Sequence, residues 1–305
     1  MSQSRIAPVD WVVYVLLAVI WGSSFILIKT GLQFFSPVVL AALRVTIAGL
    51  VLLPLAYNGL KALTYHEQFC AVLMGLCGSA VPAFLFAIAQ TRVESGIAGI
   101  LNSLTPIFIL VTGLLFFNVR YAWKQTLGVV VGFVGCAGLI LLSHQPHGAY
   151  DNHYAYALLI VVATVLYGLS NQILMRFLSN RSTLHITPVA FFYAGIGTAL
   201  ILFATDFGTA VQQPGAWKGL GYVALLAACG SAFALLLYNR LAQRTGVAFA
   251  GTVTYVMPVI SILWSYADNE FIGWQHFGAM ALILLGVFLV RKRNAPVAIT
   301  QTDKL

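Results

Sequence analysis

Long apolar runs alternate with short polar connectors along the whole chain. A helix of about twenty residues spans about 30 Å, the thickness of the hydrocarbon core of a bilayer. In lipid every backbone N–H and C=O needs a partner within its own segment, so each run is predicted to be a helix. The pattern therefore predicts an all-α polytopic membrane protein with ten transmembrane helices. The ten runs lie at about 10–30, 37–57, 67–90, 96–117, 123–142, 154–177, 185–205, 217–240, 246–267 and 273–291.

The composition places the chain outside the class of soluble proteins. Of its 305 residues, 60% are hydrophobic and 8% are charged, whereas soluble domains are about half apolar and a quarter charged. A net charge of +8 is typical of some nucleic-acid-binding proteins, but here Lys and Arg are scattered over the connectors without a basic stripe. We expect the lipid bilayer as the surroundings and no nucleic acid as a partner.

The positive charges predict the orientation. If the N-terminus lies in the cytoplasm and every run crosses the membrane, twelve of the sixteen Lys and Arg residues fall on the cytoplasmic side and three on the other. The remaining cation, Arg44, lies inside the second run. Such a bias follows the positive-inside rule and predicts a multi-pass protein of the cell inner membrane with both termini in the cytoplasm.

Residues 95–142 and 245–290 carry the same features in the same order. Each stretch opens with Gly, an aliphatic residue and Ala, and each reaches a proline at mid-helix, Pro106 or Pro258. Each then has a Trp near the start of the next helix, followed by a Gly-rich apolar helix. The fourth and fifth runs thus resemble the ninth and tenth runs in sequence, which indicates an internal repeat.

A repeat of five helices must enter the membrane from the opposite face in its second copy, because five is odd. We therefore predict two inverted five-helix repeats, over 1–145 and 146–305. Many secondary carriers achieve alternating access with this construction.

Four stretches resemble those of a known family. They are WGSSFILIKTGL, LRVTIAGLVLLP, FAIAQTRVESGIAGILNSLTPIF and LYNRLAQRTGVAFAGTVTYVMPV. Over essentially its whole length the chain resembles the EamA-type branch of the drug/metabolite transporter superfamily. The resemblance implies a ten-helix, two-repeat fold and the export or exchange of small metabolites such as amino acids. Family members commonly end the fourth and ninth helices with Gly-Glu; here the ends read Phe117-Asn118 and Asn269-Glu270, so only the second half keeps the Glu.

Arg44 is the clearest candidate for chemistry, since it lies about seven residues into the second run, roughly 10 Å deep at 1.5 Å per residue. A buried cation costs a few kcal/mol and needs a partner. Two interpretations stay open. Arg44 is either a counter-charge for an anionic substrate group such as a carboxylate, or a structural Arg that bonds helix-end carbonyls or snorkels to the outer interface. Lys29, at the end of the first run, is expected to anchor that helix at the interface.

Polar and aromatic residues at mid-membrane depth form a second group of candidates. Single Ser and Thr residues in such helices often only pack against a neighbouring helix, but amide and phenol groups at that depth need partners and favour a cavity. Pro106 and Pro258 are predicted to break their helices and to free carbonyls one turn back. With Arg44, the predicted substrate-binding residues are Trp21, Ser24, Asn102, Tyr167, Asn171 and Tyr255, and Ser23, Thr105 and Thr254 lie at similar depth.

Several absences narrow the function. No Asp or Glu lies in the central part of any run, so a carboxylate proton relay is not expected, and facilitated diffusion or exchange is the simpler mechanism. The loop residues His144, His147, Asp151 and His153 fit no defined metal site, and we expect neither a metal nor a cofactor. No Walker A, GxSxG or HExxH motif occurs, so the chain is not expected to be an enzyme.

Two alternative functions and the oligomeric state stay open at this stage. A multidrug efflux carrier would favour a larger aromatic cavity. An intramembrane lipid-modifying enzyme would need paired acids, or a His with a base, at matching depth, and the runs contain neither. The pair Gly128-x-x-x-Gly132 is typical both of a dimerisation face and of close packing inside one chain, so the oligomeric state is not predicted.

Overall fold

The computed structural model of the protein describes residues 7–117, 123–142, 153–245, 247–270 and 272–291. These residues form fifteen α-helices and two π-helical stretches, Leu76–Ala80 and Leu226–Phe233, without a β-strand among them. The α-helices are α1 Pro8–Gly31, α2 Pro37–Ala62, α3 Tyr65–Gly75, α4 Val81–Ala89, α5 Ser95–Asn102, α6 Thr105–Phe117, α7 Trp123–Leu142, α8 His153–Phe177, α9 Thr183–Phe203, α10 Phe207–Ala210, α11 Ala216–Leu225, α12 Ala234–Thr245, α13 Val247–Ala250, α14 Val253–Ala267 and α15 Trp274–Arg291.

Every predicted apolar run coincides with one helix or with consecutive helical segments. Within the described ranges, seven helical segments are long and apolar enough to cross a membrane, and three further apolar helices are shorter. The chain is therefore an all-helical membrane protein. The ten crossings and their division into two repeats remain a prediction.

The two prolines that were predicted to break their helices behave differently. Pro106 follows a turn at Ser103 and Leu104 and begins α6, so a helix does end just before it. Pro258 does not break its helix: it lies inside α14, and the chain turns earlier, between α13 and α14. A proline removes the bond to the carbonyl four residues back, here that of Thr254, and the Ser103 hydroxyl donates to that oxygen at 3.2 Å. This replacement bond lets α14 continue through Pro258.

Helices α2 and α9 pack closely against each other. Thr46 and Thr198 share a hydrogen bond of 2.9 Å between their hydroxyl oxygens. Three residues further along α2, Gly49 faces Gly195, which lies three residues earlier on α9. Contacts that advance on one helix while they retreat on the other show that the two helices run antiparallel.

The backbones of helices α7 and α15 approach each other directly where glycines of the two helices meet. A Cβ added to Gly286 would lie 2.5 Å from the backbone nitrogen of Gly132 and 2.6 Å from the carbonyl oxygen of Gly128. Real Cβ atoms do not approach backbone atoms this closely, so Gly is required here. The face formed by Gly128 and Gly132 is thus covered by a helix of the same chain.

Ionic contacts tie the two ends of α1 to the second half of the chain. At one end, Asp10 lies 3.5 Å from Arg244. At the other, the Lys29 Nζ lies 2.5 Å from Asp268 and 2.8 Å from Glu270. We call these the Asp10 end and the Lys29 end of the bundle. The expectation that Lys29 anchors α1 at the interface stays a prediction; the structure shows that two carboxylates of the α14–α15 connector hold its ammonium.

Candidate substrate-binding cavity

A cavity of about 150 Å³ lies in the middle of the bundle, between helices of both halves. Six of the seven predicted binding residues line it: Trp21, Ser24, Arg44, Asn102, Tyr167 and Asn171. Thr105 and Thr254 line it as well. Tyr255 does not, because its hydroxyl points to α15 and donates to the Val287 carbonyl at 3.4 Å. Ser23 also lies elsewhere, accepting a hydrogen bond from Trp264 at 2.9 Å.

The first pair of cavity motifs lies on α1 and α8. Trp21-Gly22-Ser23-Ser24 and Tyr167-Gly168-Leu169-Ser170 share an aromatic residue, a Gly and a Ser at the same spacing. In both motifs the aromatic residue and the final Ser line the cavity. Both glycines bring their helix against a neighbouring backbone: a Cβ at Gly22 would lie 3.0 Å from the Met257 carbonyl, and one at Gly168 would lie 2.6 Å from the Phe108 carbonyl.

The second pair consists of the two π-helical stretches, which sequence reasoning did not identify. Residues 77–80 and 229–232 both read Cys-Gly-Ser-Ala, and each tetrapeptide lies within one of the stretches. Gly78, Ser79, Gly230 and Ser231 all line the cavity. The identical tetrapeptide was a signal in the sequence that could have found them. π-Helical turns are rare in proteins overall, but those that occur often lie at functional sites.

The two motif pairs pack against each other in matching fashion. The Ser24 hydroxyl lies against Gly230, 2.8 Å from where a Cβ would be, and Ser170 lies against Gly78 in the same way. Trp21 donates from Nε1 to the Gly230 carbonyl at 3.0 Å. Ser170 donates to the Met74 carbonyl at 2.9 Å. The cavity walls are therefore built from two similar corners, and each corner joins residues of both halves of the chain.

Arg44 supplies the positive charge of the cavity. Its Nε donates to the Ser231 hydroxyl at 2.8 Å, and the described part of the chain offers the guanidinium no carboxylate within ion-pair distance. The two terminal amino groups make no hydrogen bond to any described residue, and the side chain is only partly buried because it borders the cavity. The four N–H groups of the two terminal nitrogens thus have no acceptor among the described residues.

Asn102 presents the opposite kind of group. Its side chain is 6% exposed, and its side-chain oxygen is buried without a hydrogen-bond partner. The amide nitrogen approaches the Met257 sulfur at 3.9 Å. Its backbone carbonyl, which Pro106 leaves without a helical partner, accepts from the Thr105 hydroxyl at 2.8 Å. An unpaired buried acceptor of this kind costs about 1–3 kcal/mol.

Aromatic rings form the rest of the wall. Trp21 and Tyr238 have ring centroids 5.2 Å apart, and Phe86 lies between Phe25 at 5.7 Å and Tyr167 at 6.2 Å. Among the described residues that line the cavity, Arg44 is the one charged residue, and none is an Asp or Glu. The cavity therefore combines a single cationic group with an apolar, aromatic surface.

The Lys29 end adjoins this cavity, since Ile28 lines the cavity and Lys29 is the next residue of α1. Glu270, with a side chain 2% exposed, accepts from the backbone N–H groups of Ser95 at 3.0 Å and Gly96 at 3.3 Å and from the Ser95 hydroxyl at 2.7 Å. Burial by itself would raise the pKa of Glu270, but the Lys29 ammonium and the hydrogen bonds from Ser265 and Ser95 outweigh burial and hold that pKa below its usual range. Glu270 is thus an ionised cap on the first turn of α5.

Metal ligands are not grouped in the described part of the chain, where no set of three His, Cys, Asp or Glu side chains could hold an ion. The loop residues His144, His147 and Asp151 and the side chain of His153 lie outside the described residues, as does Asn118.

Comparison with known proteins decides the family. The sequence model of the EamA-like transporter family matches the chain twice, over residues 10–141 and 155–292. The chain belongs to the EamA-like transporter family. Its membership means that the protein is a membrane transporter, with a small-molecule substrate and the lipid bilayer as its surroundings.

Individual EamA-like relatives agree with this assignment. An uncharacterised transporter of Archaeoglobus fulgidus is 26% identical over 93% of this chain and 99% of its own. The uncharacterised inner membrane transporter YedA of Escherichia coli K12 is 26% identical over 90% of this chain and 88% of its own. A probable terminal-alkyne amino-acid exporter of Streptantibioticus cattleyicolor is 23% identical over 92% of both. A crystal structure with a TM-score of 0.60 and 18% identity covers 94% of this chain and 96% of its own, and so shares its fold.

Proposed function

We propose that the protein is a secondary carrier that exports or exchanges small carboxylate-bearing metabolites such as amino acids. One observation carries this proposal: Arg44 and Asn102 line the same cavity, and no described lining residue is acidic. The terminal amino groups of Arg44 have no acceptor among the described residues, and the side-chain oxygen of Asn102 has no hydrogen-bond partner. A planar guanidinium matches a carboxylate bidentately. An amide oxygen accepts from an ammonium or an N–H group.

The size of the cavity supports a small substrate. Its volume of about 150 Å³ lies below the roughly 300–1,000 Å³ of pockets for drug-sized ligands. A cationic drug would also need a carboxylate or an open aromatic cage, and Arg44 repels it. An intramembrane enzyme would need an acid and a base facing each other, which the lining residues do not provide. These features favour metabolite transport over the multidrug and lipid-enzyme alternatives.

Alternating access between two inverted repeats is the mechanism we propose. The two matches of the family model, the two Cys-Gly-Ser-Ala stretches and the antiparallel crossing of α2 and α9 support two repeats over 1–145 and 146–305. Rocking of one half against the other would open the cavity alternately at the Asp10 end and the Lys29 end. With no carboxylate in the cavity to carry a proton, exchange or facilitated diffusion is the expected mode. We place the protein in the inner membrane, with both termini in the cytoplasm.

The first prediction tests the substrate. Arg44→Gln keeps a long hydrogen-bonding side chain and removes the charge, so affinity for carboxylate-bearing substrates should fall by about 1–3 kcal/mol, or roughly ten- to a hundredfold. Uptake by proteoliposomes, measured for an amino acid and for its neutral amide, checks this. Transport of the amide should change much less.

The structural interpretation of Arg44 gives a different outcome in the same experiment. If the side chain serves only to tie α2 to the second half of the chain, Arg44→Gln should lower the melting temperature in detergent, and all substrates should be lost together. A stable variant that transports acid and amide as the wild type does would remove Arg44 from the site.

The second prediction tests the membrane topology. Reporter enzymes fused after Asn152 should be active on the outer side, and fusions near Lys124 and Arg244 should be active in the cytoplasm. A cytoplasmic signal at Asn152 would contradict both the ten crossings and the inverted repeat, because the first five helices would then no longer end outside.

A further inference from the structure

We propose that Ser231 is a positioning residue for Arg44: its hydroxyl holds Nε and thereby turns the two terminal amino groups toward the substrate. The bond between the two side chains is 2.8 Å long. Ser231 lines the cavity and is otherwise buried, with 5% of its surface exposed. This inference rests on the proposed function, in which Arg44 binds a carboxylate, and adds the residue that sets its geometry.

The hydroxyl of Ser231 is free to accept because of where it lies in its helix. Several other helical Ser and Thr hydroxyls in the bundle donate to a carbonyl one turn back, as Ser24 does to Ile20 at 2.9 Å and Thr198 does to Ala194 at 3.0 Å. Within the described ranges Ser231 makes no such bond. It belongs to the π-helical stretch Leu226–Phe233, and an additional residue in a turn rotates the following side chains by about 100°. The stretch therefore re-aims Ser231 toward α2.

The π-helical stretch is itself held in place from α1. Trp21 Nε1 donates to the Gly230 carbonyl at 3.0 Å, next to Ser231. The Ser24 hydroxyl fills the space where a Cβ at Gly230 would lie, at 2.8 Å. A chain of contacts thus runs from α1 through Gly230 and Ser231 to the guanidinium of Arg44.

The consequence for substrate binding follows from the shape of a guanidinium. It can meet a carboxylate along the edge formed by Nε and one terminal nitrogen, or along the edge formed by both terminal nitrogens. Ser231 occupies Nε, which leaves the edge of the two terminal nitrogens for the substrate. Without Ser231 the guanidinium could rotate between the two edges, and carboxylate binding would lose this preorganisation.

Ser79 provides a matched comparison within the same cavity. It is the third residue of the other Cys-Gly-Ser-Ala tetrapeptide, lies in the π-helical stretch Leu76–Ala80 and lines the cavity. In the described structure Arg44 bonds Ser231 and not Ser79. Any effect of Ser79 on transport should therefore be independent of Arg44.

A double-mutant cycle in proteoliposomes tests the proposal. Ser231→Ala should raise the KM for an amino acid roughly tenfold and leave kcat within about twofold, with little effect on the neutral amide. In the Arg44→Gln background, Ser231→Ala should cause no further change, because the group that it positions is gone. Ser79→Ala should change transport by the same factor with and without Arg44.

Two outcomes would overturn the proposal: independent effects of Ser231→Ala and Arg44→Gln, or equal losses for acid and amide. If Arg44→Gln itself does not distinguish acid from amide, the proposed function fails instead. Should the alanine variant not accumulate in the membrane, Ser231→Cys, whose thiol is a weak acceptor, should give the same rise in KM.

Discussion

Glu270→Ala is expected to destabilise the folded protein by about 3–5 kcal/mol, the cost of removing one partner from a buried charged network. The carboxylate accepts from the backbone N–H groups of Ser95 and Gly96 and from the hydroxyls of Ser95 and Ser265, and it pairs with Lys29. Alanine leaves these donors without an acceptor in a place that water does not reach. Unfolding in detergent micelles, followed by tryptophan fluorescence during thermal or denaturant titration, measures the loss.

Asp268→Ala is the matched control. Asp268 pairs with the same ammonium of Lys29 at 2.5 Å, but its side chain is 43% exposed. Exposed ion pairs contribute about 0–1 kcal/mol, so this variant should melt close to the wild type. Equal destabilisation by both substitutions would show that the charge on Lys29 matters and that the cap on α5 does not.

The pH dependence of stability gives an independent reading of the same site. The pKa of Glu270 in the folded protein lies below its ordinary value, so the folded state favours the ionised form. This contribution is fully present above the pKa of Glu270 in the unfolded chain, about 4.3. It is lost as the pH falls through the lower pKa of Glu270 in the folded protein. Wild type should therefore lose stability on acidification below that range, and Glu270→Ala should lack this part of the loss.

The helices were predictable because few backbone structures can satisfy all of their hydrogen bonds in lipid. Each apolar run of about twenty residues had to satisfy its own backbone, and each predicted run coincides with helix in the structure. The interruptions were not predictable to the same degree. Pro258 was expected to break its helix, yet Ser103 from another helix bonds the carbonyl that the proline frees. That contact depends on how two distant segments cross.

Residue type was a better guide to which side chains line the cavity than the position of a residue along its helix. Asn102 and Tyr167 were found because an amide or a phenol at mid-membrane depth needs a partner. Tyr255 met the same criterion but faces α15. A helix that is apolar on nearly all sides has no polar face, so its sequence does not show which side chains face which neighbouring helix. Ser231 looked like an ordinary helical Ser, and only its π-helical stretch directs it to Arg44.

Gly286→Leu is expected to cost about 3 kcal/mol of stability, at the upper end of the range for overpacking. The atoms that a new side chain would meet are the backbone nitrogen of Gly132 at 2.5 Å and the backbone carbonyl of Gly128 at 2.6 Å. Backbone atoms cannot rotate away as a flexible side chain does, so α7 and α15 would have to separate along their whole contact. Thermal unfolding in detergent, together with the yield of folded protein after gel filtration, measures the effect.

Gly278→Leu serves as the control on the same helix, because a Cβ at Gly278 meets nothing within 4 Å. Leu also has a higher helix propensity than Gly, by up to about 1 kcal/mol, so this variant should be as stable as the wild type or slightly more stable. The comparison also separates the two uses of the Gly128–Gly132 face. Close packing inside one chain predicts that Gly286→Leu unfolds the protein at lower temperature whatever its concentration. A loss of dimers with unchanged melting would instead show that this face joins two copies of the chain.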